Sequence, residues 1–186
     1  MSVKLLTRSA VELPAPRAGS TIVILNRQRV RKINLRLLKK IANAMLAEWE
    51  IKNADIGICL IAAPEMTRLN ETFLKHKGST DVIAFDYGFG VPPSGGKFSK
   101  KSARANRLKP ELRTLHGEIY ICVDEAVLQA QKFSTSWQSE VVRYIIHGVL
   151  HLLGFDDWSA GARRKMKRVE NRRLREITRR FPLSKL

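Results

Sequence analysis

The chain has 186 residues, 44% of them hydrophobic, and a formal net charge of +17 from 34 Lys and Arg against 17 Asp and Glu. That length and apolar content exclude a disordered chain and allow one domain with a sizeable core. The charge favours a polyanionic partner, nucleic acid ahead of an anionic membrane surface.

The first twenty residues, "MSVKLLTRSAVELPAPRAGS", lack an apolar signal core and read as a mobile leader, so a cytoplasmic protein is expected. No stretch reads as a membrane span, because the longest strongly apolar run carries Arg143 and His147. Residues 21–27 form a β-branched first strand. Asn34 caps a helix to about Trp49, with Leu38, Ile41, Met45 and Trp49 on its core face. A second strand covers 55–62. Pro64 opens the helix "PEMTRLNETFL", which carries Met66, Leu69 and Phe73 on one side. Strands follow at 80–88 and 117–123. Asp124 is placed to cap "EAVLQAQKF". Ser136 opens the long helix "WQSEVVRYIIHGVLHLL", stopped by Gly154. A basic helix starts after Ser159 and ends before Pro182.

This order predicts an α+β fold: a single domain with a mixed sheet of about four strands, covered by about five helices. Residues 1–20 are a leader, 21–158 the main domain, and 159–186 a basic C-terminal helix and tail. The segment 88–116 is a Gly-, Pro- and Lys-rich insertion, long enough to be functional. Its Lys100, Lys101 and Arg104, with Arg172 and Arg173 of the last helix, are the candidates for phosphate contact. Cys59 and Cys122 lie in separate strands with no CxxC spacing, so they read as buried thiols.

Residues 147–157 read "HGVLHLLGFDD". His147 and His151, four apart on a helix, share one face and can share one ion. Gly154 lets the chain leave the helix in a left-handed turn, and Asp157 can fold back as a third ligand. Asp156 is the adjacent alternative, although the spacing favours Asp157. Two imidazoles and a carboxylate leave a fourth position open, the catalytic rather than the structural pattern, at the end of a central helix. Zinc is the expected ion, and nickel, copper or iron also suits these donors. Metallopeptidases with HExxH carry a glutamate base after the first histidine; here that residue is Gly148, which weakens a peptidase reading.

Three segments carry a family resemblance: "LNETFLKHKGSTDVIAFD" at 69–86, "GEIYICVDEA" at 117–126 and "HGVLHLLGFDD" at 147–157. Together they resemble the YbeY family of bacterial rRNA maturation endoribonucleases. The resemblance implies one zinc ion and cleavage of single-stranded RNA in 16S rRNA 3′-end maturation and ribosome quality control. The implied partners are rRNA and the small ribosomal subunit. The family's third histidine ligand falls on Asp157. Its arginine, four residues after the Leu-Asn pair, falls on Leu74, so Lys75 or His76 is the candidate to take over part of that catalytic role. The alternative is an RNA-binding ribosome-assembly factor whose metal is mainly structural.

Overall fold

A computed structural model describes residues 5–6, 19–87 and 115–186. The strands β1 (Leu5–Leu6), β2 (Ser20–Asn26), β3 (Ala54–Ile61), β4 (Val82–Asp86) and β5 (Leu115–Cys122) form one sheet in the order β1-β4-β5-β3-β2. β2, β3 and β5 run parallel, β4 is antiparallel to β5, and β1 is parallel to β4. The sheet is therefore mixed, as expected. β1 adds a short fifth strand from within the stretch read as a leader. β5 also begins before the expected end of the 88–116 insertion, because Leu115 is buried and paired with Ala54.

Among the described residues five α-helices cover this sheet: α1 (Leu35–Glu48), α2 (Ala63–Leu69), α3 (Val123–Phe133), α4 (Trp137–Leu152) and α5 (Ala160–Arg180). Three begin where a side-chain oxygen accepts an orphan amide. Asn34 accepts from Leu37, Ser136 from Ser139, and Ser159 from Ala162. Asp124 does not cap its own helix, which already starts at Val123. Its carboxylate accepts the Ala63 N–H at 2.8 Å and so satisfies the start of α2 instead. α2 continues into a π-helical turn, Asn70–Leu74, which Lys75 ends in a left-handed conformation at φ 59°.

Period-2 alternation divides the core. Val82 and Ala84 of β4 pack with Ile119 and Ile121 of β5 beneath α4, whereas Ile83, Phe85 and Cys59 face the other way, toward Met66 and Leu74. Both cysteines are free and buried. α5 buries Met166, Glu170, Leu174 and Ile177. The basic helix is thus an integral layer of the domain, and Leu183 and Leu186 of the tail are buried in the same core.

Gly148 sets how closely α4 approaches the sheet. A Cβ there would lie 2.6 Å from Ile119 Cγ2, so the glycine is a packing requirement and a glutamate side chain has no room. Gly148→Ala is expected to cost about 1–3 kcal/mol through overpacking, read by urea denaturation.

Candidate metal centre

The site is built by the last turn of α4 and the turn that follows it. Gly154 N–H donates to the His151 carbonyl at 2.8 Å, and Phe155 N–H to the Leu150 carbonyl at 3.0 Å, with Gly154 at φ +84°. This helix-ending turn uses glycine because a left-handed backbone is strained for residues with a Cβ. The chain then reverses and brings Asp157 back to the helix.

Ligand atoms from His147, His151 and Asp157 lie within 4.8 Å of one another. Asp157 is buried and Asp156 is exposed, the latter accepting the Trp158 N–H at 3.4 Å. The geometry thus separates the two neighbouring aspartates, with Asp157 facing the histidines.

Each imidazole is held through Nδ1. His151 Nδ1 is 3.1 Å from the Phe155 carbonyl, and His147 Nδ1 is 3.0 Å from Glu170 Oε2. A carbonyl and a carboxylate only accept, so both Nδ1 atoms carry the hydrogen. Both Nε2 atoms then turn lone pairs inward, 3.1 Å apart. Two acceptors this close need a cation between them, so the donor set fits a metal ion. Burial, and then the nearby His147, pull the His151 pKa down to about 4. At neutral pH that ring is the uncharged form a metal requires.

Glu170 lies outside the sequence expectation. Its carboxylate accepts from Arg143 Nη1 at 2.7 Å as well as from His147. Burial pushes its pKa up, but the hydrogen bonds from His147 and Arg143 outweigh this and hold it below the usual carboxylate range. Arg143 Nε also meets Glu140 Oε2 at 3.2 Å, and Glu140 accepts from Thr135 Oγ1 at 2.7 Å. A run of ionic contacts therefore ties α4 to α5 through the first histidine. The available sequence signal was positional: Glu170 occupies the apolar stripe of Met166, Leu174 and Ile177.

The family model described as Endoribonuclease YbeY matches residues 22–178. The chain belongs to the endoribonuclease YbeY family. The YbeY of Salinibacter ruber is 33% identical over 122 residues, 66% of this chain and 69% of the relative. That of Chlorobium phaeovibrioides is 32% identical over 138 residues, 74% of this chain and 78% of the relative. A solution structure of a Thermotoga maritima protein matches 84% of this chain and 89% of its own, with a TM-score of 0.53 at 21% identity, a likeness of fold.

Within this YbeY-family chain, the other candidate residues fall in different places. Leu74 is buried beside Phe85 and Ile83, on the sheet face turned away from α4. Lys75 and His76 follow as exposed residues, and the group of ligand atoms does not include His76. Lys100, Lys101 and Arg104 lie outside the described residues. Arg172 is exposed, whereas Arg173 pairs with Glu176 at 2.9 Å and stacks 5.5 Å over Trp49, so part of its charge is engaged within the fold. Arg163 donates through Nε and Nη2 to the Asp157 carbonyl, both at 3.3 Å, an interaction the sequence did not suggest.

Proposed function

We propose that this protein is a zinc-dependent, single-strand-specific endoribonuclease that acts in 16S rRNA 3′-end maturation at the small ribosomal subunit in the cytoplasm. The observation that carries the reading is the convergence of His147, His151 and Asp157, with both rings anchored through Nδ1. The relatives' description as endoribonucleases and the charge of +17 supply the RNA class of substrate. Among the described residues, no helix is long and apolar enough to cross a membrane.

A bound zinc ion supplies Lewis acidity and a water made acidic near neutral pH. The chain's own residues do the rest. His147 and His151 hold their Nε2 atoms inward, and Asp157 adds a carboxylate that offsets ion charge. Glu170 fixes the tautomer and orientation of His147. The exposed cations of α5 raise the local concentration of RNA. Lys75 or His76, exposed beside the buried Leu74, takes over part of the role of the family arginine, and the exposed cations of α5 add RNA-contacting charge. Cleavage by the purified protein of a single-stranded RNA, with a duplex of the same sequence left intact, is the expected result. Equal cleavage of both would contradict the single-strand reading.

The charge makes its own prediction. The logarithm of RNA affinity should fall linearly with the logarithm of salt concentration, because bound Lys and Arg release counterions. Reversing the exposed Arg172 and Arg175 to glutamate should reduce the slope by roughly two, about one for each phosphate that is no longer neutralised. Filter binding across a salt series reads both, and a flat response in the parent protein would remove the polyanion argument.

A further inference from the structure

We propose that Trp158 is a base-stacking platform for single-stranded RNA beside the metal centre; this rests on the nuclease reading above and names how that site takes its substrate. Trp158 is 67% exposed, more than any other large hydrophobic side chain among the described residues. The remaining tryptophans, Trp49 and Trp137, pack against the main core. An indole left in water forgoes the burial that stabilises its counterparts, and exposed aromatics of this kind are enriched where one face must meet a partner.

Position gives the partner its chemistry. Trp158 directly follows Asp157, so its backbone lies one Cα–Cα step, about 3.8 Å, from that of the candidate ligand. The loop that carries it is anchored on both sides. The Trp158 N–H donates to Asp156 Oδ1, Ser159 caps α5 through the Ala162 N–H, and Arg163 grips the Asp157 carbonyl. The ring is therefore presented from a fixed backbone. The first turns of α5 beside it expose Arg163, Arg164, Lys165, Lys167 and Arg168, with no acidic residue in the first turn. An aromatic face flanked by cations matches an unstacked base flanked by phosphates. A duplex does not offer that face, because its bases already stack on one another. Trp158 would thus help select unpaired RNA and hold one base while a neighbouring phosphate reaches the metal centre.

The test uses the purified, metal-loaded, full-length protein and 2′-O-methyl oligoadenylate, both single-stranded and in duplex with its complement, read by fluorescence anisotropy. Trp158→Ala should weaken single-strand binding about tenfold, while Trp158→Phe keeps most of it. Duplex affinity, metal content and melting temperature should stay at the parent values. In the cleavage assay the alanine variant should show a raised KM with kcat retained. Single-strand affinity equal in the parent and Trp158→Ala would overturn the proposal. So would self-association that depends on Trp158 while RNA affinity is unchanged, since that assigns the ring to a protein interface. A parent that binds the single strand through Trp158 yet cleaves no RNA keeps this inference and ends the nuclease reading. A parent that cleaves RNA while Trp158→Ala binds as tightly as the parent ends this inference alone.

Discussion

Replacing His151 with alanine should strip the protein of its metal and of RNA cleavage together, with kcat/KM down on the order of 100-fold or more. His151 is 2% exposed, and its Nδ1 is already committed to the Phe155 carbonyl. Its Nε2 therefore has one partner to find, the ion shared with His147 and Asp157. Removing the ring deletes a ligand and leaves a small cavity at the end of α4, so some loss of stability is expected as well. His147→Ala should act similarly, and it also leaves Glu170 without one of its two strong donors. Metal content by elemental analysis, measured on the same samples as the cleavage rate, separates ligand loss from unfolding. A variant that keeps stoichiometric metal and loses activity would show that the ring is not a ligand.

Glu170→Gln is the second change with a large expected effect. Glu170 is 8% exposed, and its carboxylate carries charge that balances Arg143 while also orienting His147. Glutamine conserves the volume and removes the charge, leaving Arg143 without its close carboxylate partner on α5. Arg143 keeps Glu140 and Asn171, so losing its charged hydrogen bond to Glu170 should cost about 1.5–3 kcal/mol, and losing the partner of a ligand histidine weakens metal affinity by roughly 10–100-fold. Glu176→Gln is the control on the same helix. The Glu176 side chain is 35% exposed and pairs with Arg173 rather than with a metal ligand, so the change should cost about 1 kcal/mol or less and leave metal affinity alone. Chemical denaturation and competition with a chromophoric chelator read the two effects separately. Equal behaviour of the two variants would contradict the role assigned to Glu170.

The parts of this molecule that were legible in the sequence are those fixed by local geometry. Asn34, Ser136 and Ser159 announced their helices because a cap bonds an amide only three residues away. The triad was legible because i,i+4 spacing and a helix-ending glycine determine directions within two turns. The choice between Asp156 and Asp157 needed the fold of that turn, which buries one and exposes the other. Partners far apart in the chain were not legible. Asp124 satisfies an amide 61 residues away, and Glu170 reaches a histidine 23 residues away, distances at which no periodic signal survives. Gly148 first reads as a missing base. Only the approach of α4 to Ile119 shows that nothing larger fits. Lys75 and His76 were chosen by adjacency in sequence to Leu74, and which core cluster Leu74 joins, that of Ile83, Phe85 and Met66, is something one-dimensional spacing cannot reveal.

The most direct test of the central claim, that His147, His151 and Asp157 hold a metal required for RNA cleavage, is a single titration. The purified protein is stripped with chelator, its metal content confirmed at zero, and its cleavage of single-stranded RNA followed as zinc is added back. The expected result is no cleavage without metal and full recovery at one equivalent in the parent, with no recovery in His151→Ala. Cleavage at the parent rate by the metal-free protein would contradict the claim.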